Sequence, residues 1–247
     1  YMKSSSRKIG AFCFCKKAFV ILTMVFNSSL ITTQELAIAL NDKSIVLLDC
    51  TIDKVGQSLR DERLKLIPYS LFFDIEVKLS DKSSKLPHTL VSAEIFEQEM
   101  QTLGINQNST VVLYDRWGIY SSPRAWWMFK VMGFDNVHVL NGGLPAWKEK
   151  EFRVIECYSE PIEKGNFKAN FSASWYADKE YILENYQKET IQIFDARSKA
   201  RFTGVVPEPR QGLKSGHIPH SNNIPFEELL DGKFYGDKEK IARFFKH

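Results

Sequence analysis

The sequence predicts an α/β fold in which one kind of unit occurs twice, the second time incompletely. Three observations carry this expectation. Short apolar runs that end in a carboxylate, Ile45–Asp49 and Ile191–Asp195, read as strands buried on both faces, as strands of parallel sheets are. Such runs alternate with stretches of helical apolar spacing, the pattern of a parallel sheet covered by helices on both sides. The Asp-ended run and the pair Ile67-Pro68 both have echoes, at Asp195 and Ile218-Pro219, roughly 150 residues later, which is too long a period for a solenoid and suits a duplicated domain.

Each element has a local reason. Thr32-Thr33-Gln34-Glu35 has capping-box spacing, and Leu36, Ile38, Ala39 and Leu40 give the short helix that follows its apolar side. Ile45–Asp49 is the first buried strand, and a short apolar piece, Ser70–Phe73, follows Ile67-Pro68. A helix from about Ser92 carries Phe96, Met100 and Leu103 on one face and stops at Gly104, a residue suited to left-handed helix ends. Val111–Tyr114 is the next strand; it ends at Asp115 and opens a loop, 116–122, before Pro123 starts a helix with Trp126, Trp127 and Phe129. Val137–Leu140 is a further strand, closed by Gly142-Gly143 and a helix through Trp147. The polar stretch 157–169, with Pro161 and Gly165, reads as a linker. Beyond it come a helix near 178–186 and the second Asp-ended strand.

The domain plan is therefore a leader over 1–29, a first unit over 30–156, the linker over 157–169 and a second unit over 170–247. The leader carries Lys3, Arg7, Lys8, Lys16 and Lys17 and no acid before Glu35. Its apolar run, 18–26, is too short to span a bilayer. It reads as a mitochondrial transit peptide, as upstream sequence that is not translated, or as a secretory signal. A net charge of +3 is too small to argue for nucleic acid or a lipid surface. The four cysteines, Cys13, Cys15, Cys50 and Cys157, form no disulfide framework, which points to a reducing compartment, mitochondrion or cytoplasm. Apart from the close pair Cys13-Phe14-Cys15 the cysteines show no metal-type spacing, and no cofactor is expected.

At this point the residues resemble a family. Val111-Val-Leu-Tyr-Asp115 followed by Tyr120-Ser-Ser-Pro-Arg-Ala-Trp-Trp-Met-Phe129, and then Leu140-Asn-Gly-Gly-Leu144 with Trp147, are similar to the N-terminal domain of 3-mercaptopyruvate and thiosulfate sulfurtransferases, which are tandem rhodanese-like proteins. Asp195-Ala-Arg197, Arg201-Phe202, Pro207-Glu-Pro-Arg210, Gly216-His-Ile-Pro219 and Asn223-Ile-Pro-Phe226 resemble the run that precedes the active-site loop of that family. The likeness is collinear over about residues 30–247. It implies two rhodanese-like domains of which only the second is catalytic, through a cysteine in a Cys-Gly-x-Gly-type loop that becomes a persulfide. By the internal repeat that loop falls after His247, so the chain reads as a fragment without its nucleophile, and as such inactive. Sulfur would pass from 3-mercaptopyruvate, or thiosulfate, to a thiol such as that of thioredoxin, or to cyanide.

The resemblance assigns Arg201 and Arg210 to the carboxylate and carbonyl of a 2-oxo acid, a planar group that a guanidinium fork meets with two parallel hydrogen bonds. The resemblance also implies that the arginine of Pro-Glu-Pro-Arg210 favours mercaptopyruvate over thiosulfate. Asp115 occupies the first unit's counterpart of the cysteine position, so that unit is expected to be silent, its carboxylate held by Arg116 or Arg124 at the loop mouth. His88 and Glu76 match a histidine and a carboxylate that face the active site across the domain boundary, with Glu here in place of the family's usual Asp. Asp195 and His217 read as structural, Cys50 as inert core, and Cys13, Cys15 and Cys157 as outside the chemistry. The Ile67-Pro68-Tyr69 segment departs from the family's His-Ile-Pro-Gly. Two other readings stay open: a non-catalytic rhodanese-like binding or regulatory module, and a relative of the dual-specificity phosphatases, which share the fold but need a longer Cys-x5-Arg loop.

Overall fold

The computed structural model describes residues 26–209 and 212–245. The first half is built on five parallel strands in the order β1-β5-β4-β2-β3, namely β1 (Leu30–Ile31), β2 (Ile45–Asp49), β3 (Leu71–Phe72), β4 (Thr110–Tyr114) and β5 (Val137–Leu140). Four helices cross between or follow them: α1 (Thr33–Ala39), α2 (Ala93–Thr102), α3 (Ser122–Val131) and α4 (Gly143–Glu149). β2 and β4 pair in parallel over their whole length, from Ile45 opposite Thr110 to Asp49 opposite Tyr114. That register places the two carboxyl ends, and the loops they open, side by side.

Strand alternation sorts the apolar residues onto two faces. Leu48, Val111 and Leu113 point into one core with Phe96 and Met100 of α2 and Met128 and Phe129 of α3. Leu47, Val112 and Tyr114 point into the other with Leu36 of α1 and Leu144 and Trp147 of α4. Two-sided burial is why these strands read as continuous apolar runs. At the start of α1 the Thr32 side chain accepts from the Glu35 N–H while Glu35 returns to the Thr32 N–H, the reciprocal cap its sequence forecasts.

The polar stretch after Cys157 stays on this unit. Gly165 and Phe167 donate their N–H groups to Gln101 O and Ile105 O, and Asn170 donates to Met132 O. Phe167 is fully buried against Phe96, Phe129 and Phe134. This stretch therefore closes the first core instead of hanging between two units.

The second half contains α5 (Lys179–Asn185), β6 (Phe194–Asp195), α6 (Lys199–Phe202), β7 (Asn222–Asn223), β8 (Leu230–Asp231), β9 (Phe234–Tyr235) and α7 (Lys238–Phe244). β6 and β7 pair in parallel and β8 and β9 form a hairpin. The apolar run from Ile191 yields a strand of only its last two residues. The hairpin seats on the first half: Tyr235 N–H donates to Asn141 Oδ1 at 2.9 Å and Lys233 pairs with Glu149, while Phe226, in the turn before it, brings its ring to 6.4 Å from that of Tyr120. Gly142 is required here. It has φ +85°, and any Cβ would strike the Phe234 ring.

Candidate functional site

The loop opened by β4 folds around its own first residue. Asp115 is wholly buried, and its carboxylate gathers main-chain donors: Trp117 N–H at 3.0 Å on Oδ1, and Tyr120, Ser121 and Ser122 N–H at 2.9, 3.1 and 3.1 Å on Oδ2. The Ser122 hydroxyl adds a fifth bond at 2.8 Å. Convergent backbone N–H groups of this kind make an anion-holding concavity, and here the chain fills it with its own carboxylate. The expectation that Arg116 or Arg124 neutralises Asp115 is thus corrected. Arg116 Nε lies 3.5 Å from Asp49 Oδ2, while Arg124 donates to His88 O at 2.7 Å and covers the Trp127 ring. Backbone donors outcompete the arginines because the loop turns tightly enough to point four of them at one spot.

Asp49, at the end of β2, is equally buried. It accepts from the Thr51 N–H and hydroxyl and from Tyr158 OH at 2.8 Å. Burial pushes its carboxyl above the ordinary value, against the pull of these donors and of Arg116. Cys50 beside it is buried too, and desolvation raises its thiol well out of the reactive range. Cys157 is exposed, and Cys13 and Cys15 lie outside the described residues.

In the second half the equivalent strand end is an ionic knot. Asp195 accepts from Arg197 Nε at 2.9 Å, and Arg197 Nη1 reaches Glu208 Oε1 at 2.8 Å. Arg201 binds the same Glu208 side-on, Nε to Oε1 at 3.3 Å and Nη2 to Oε2 at 2.5 Å. The Glu208 side chain is only 3% exposed, against 32% for Arg201. Hydrogen bonds from Arg201 hold the Glu208 carboxyl below the usual range, and those from Arg197 do the same for Asp195. Asn223 Nδ2 ties the knot to the backbone through Asp195 O and Arg197 O. His217 donates its Nδ1–H to Phe202 O at 2.8 Å and stacks on the Phe202 ring at 3.9 Å.

Arg210 lies outside the described residues, so of the two residues predicted to bind the oxo acid Arg201 is the one described. Glu76 is exposed in the turn after β3, and His88 is half-buried on the same connection with φ +56°. A cleft of about 770 Å³ in the second half is lined by Arg197, Gly216 and His217 among others; Arg201 is not on its wall. Among the described residues no group of histidines, cysteines and acids could hold a metal ion, and no helix is long and apolar enough to cross a membrane.

Sequence reading missed Glu208 as the partner that Arg201 shares with Arg197. The available signals were the Asp195-x-Arg197 spacing at a strand end and an acid locked between two prolines, Pro207 and Pro209.

The rhodanese-like domain family matches residues 32–150. The chain is 38% identical over 215 residues to the 3-mercaptopyruvate sulfurtransferase of Escherichia coli K12, covering 85% of this chain and 76% of that protein. It belongs to the 3-mercaptopyruvate sulfurtransferase family. The mouse family member is 37% identical over 230 residues, with 88% and 76% covered. The crystal structure of the Escherichia coli sulfurtransferase SseA superposes with a TM-score of 0.79 at 34% identity, covering 88% of this chain and 82% of that one. The parallel sheet between two helical layers is thus the rhodanese fold, the chain is a sulfurtransferase by family, and Asp115 and the Arg197–Glu208–Arg201 knot are features of a family member.

Proposed function

We propose that the protein transfers sulfane sulfur from 3-mercaptopyruvate, with thiosulfate as the lesser donor, and that Arg201 and Arg210 hold the donor's carboxylate and carbonyl. What supports this reading is the posture of Arg201. Glu208 takes its Nε and Nη2 edge, fixing the guanidinium plane, while Nη1 makes no hydrogen bond to another described residue. A pre-set cation of this kind stabilises charge that develops on a carbonyl oxygen without reorganising first. In the reaction a cysteine thiolate attacks the donor's sulfur. The carbon–sulfur bond breaks, its electron pair leaves as the enolate of pyruvate, and protonation completes pyruvate. The enzyme persulfide then gives its outer sulfur to a thiol such as that of thioredoxin, or to cyanide. Mitochondrion and cytoplasm are the proposed compartments.

None of the four cysteines of the 247-residue chain serves as that nucleophile in this reading, and Asp115 makes the first unit silent. His88 and Glu76 are proposed as accessory groups only. A pyruvate-release assay on residues 1–247 with 3-mercaptopyruvate and a thiol should show no turnover; turnover at an enzyme's rate would overturn the exclusion of Cys13, Cys15, Cys50 and Cys157. Pyruvate itself, as an unreactive probe, should bind in calorimetry and lose about tenfold or more in affinity in Arg201→Ala and Arg201→Lys, because lysine lacks the fork. Equal affinity in all three proteins would remove Arg201 from the site. The alternative, a non-catalytic rhodanese-like module, is favoured for the first unit by one observation, the carboxylate that fills its loop.

A further inference from the structure

At the carboxyl ends of β2, β4 and β5 the first unit has a cleft of about 370 Å³, lined by Arg63, Lys65, Arg116 and Lys148 together with Glu62 and Glu149. In open parallel sheets this edge is where ligands bind. The charges are unevenly matched: Glu149 is taken by Lys233, Arg63 and Lys65 share Glu156, and Glu62 on the same wall makes no ion pair with a described residue, which leaves Arg116 and Lys148 as the bases open to a ligand. Lys148, in the last turn of α4, makes no ion pair with a described residue.

Arg116 is the unusual member. Its main chain is pinned, the N–H donating to Thr51 Oγ1 at 2.9 Å, and its side chain is only 17% exposed. Nε is buried without a hydrogen bond, 3.5 Å from Asp49 Oδ2. Its two terminal nitrogens make no hydrogen bond to a described residue. Asp49 already has three donors in Thr51 and Tyr158, so it does not saturate the guanidinium. A largely desolvated cation, held from behind with its fork unspent, costs little ordering when an anion arrives.

We propose that this cleft binds a small oxyanion, doubly charged at neutral pH, with Arg116 and Lys148 as its main ligands. The site is distinct from the arginine knot of the second half and stands whether or not Arg201 holds an oxo acid. Thiosulfate, sulfate and hydrogen phosphate share the required chemistry.

The test is an amide NMR titration of the 247-residue chain with each of the three sodium salts, against sodium chloride at matched ionic strength. Saturable shifts at Thr51, Arg116 and Lys148 in the millimolar range are expected. Arg116→Gln should weaken them about tenfold. Lys148→Gln, on an exposed helix turn where the fold is not at stake, should weaken them several-fold. Saturation by the two sulfur anions alone assigns the site to sulfur oxyanions, and saturation by all three to oxyanions at large. Linear, chloride-like drift at these amides, or affinities unchanged in both variants, would overturn the proposal.

Discussion

Four carboxylates in contrasting environments decide the chemistry available to single residues. Asp115 satisfies four backbone donors and one hydroxyl. Asp115→Ala leaves those donors without an acceptor in a buried loop and should cost roughly 3 kcal/mol or more. Asp115→Asn can keep an oxygen toward Tyr120, Ser121 and Ser122, and should cost about half as much. Denaturant midpoints for the two variants check this, and an Ala variant as stable as the parent would mean that the loop is held by something else. Glu208 and Asp195 have folded-state carboxyls below the ordinary values. Their contribution is therefore present above the unfolded pKa and lost as pH falls through the folded one. Asp49 has the opposite sign: burial raises it, so its contribution declines as pH rises from its unfolded value through its folded one. Acidification below the ordinary carboxylate range should thus loosen the α6–β7 region ahead of the central sheet, and Glu208→Gln should remove most of that pH dependence. Amide exchange measured against pH separates the two regions. Sequence could name Asp115 but not its partners, because backbone N–H groups leave no trace in residue types. It named Arg201 for the same reason that it missed Glu208: a motif gives positions, and a pairing requires the turn between them.

At the scale of elements, legibility followed the number of neighbours a segment has. β2 and β5 have the bounds their apolar runs predict, since each lies between two other strands and under helices. β6 is shorter than the run Ile191–Asp195 because β7, its one paired neighbour, offers only Asn222 and Asn223. The stretch 157–169 looked like a linker because its residues are polar. A single phenylalanine, Phe167, and a few main-chain bonds nevertheless suffice to lay it against α2. The turn between β5 and α4 was legible as Gly142-Gly143, and its purpose is now clear. At Gly143, φ is +51°, and an added Cβ would fall deep inside the carbonyl oxygens of Asp115 and Gly118. Backbone cannot yield there as a flexible side chain would. Gly56, with φ +77°, has nothing within 4 Å. Gly143→Ala should therefore cost about 3 kcal/mol or more, against about 1 kcal/mol for Gly56→Ala, which meets only the left-handed backbone penalty. Thermal unfolding of the pair tests this, and similar losses at both sites would show that the contact at Asp115 relaxes freely.

For the whole molecule the governing fact is where apolar surface is buried. Both hydrophobic clusters lie in the first unit and its Phe167 strap. Among the described residues after Phe167, only Ile224 and the adjoining Pro225 are buried apolar residues, whereas Leu183, Val205, Leu213 and Ile218 stand more than two-fifths exposed. Chain entropy of about 1–2 kcal/mol per residue has to be offset by such burial, so protection against local opening should grade across the molecule instead of being shared. The hairpin occupies the middle rank. It has little core of its own, yet Tyr235 is buried enough that desolvation, with the Asp115 charge adding to it, pushes its phenol up to about 12, and its N–H is anchored on Asn141. Native-state hydrogen exchange should therefore show three tiers: slowest at β2, β4 and β5, intermediate at Tyr235, and fastest at the amides of Asn222 and Ile224 that close β6 and β7. The outer tiers should differ by about 100-fold or more, as expected when one opens locally and the other only with the core. Uniform protection would mean that the second half unfolds together with the first, through a coupling that the hairpin contacts alone do not supply.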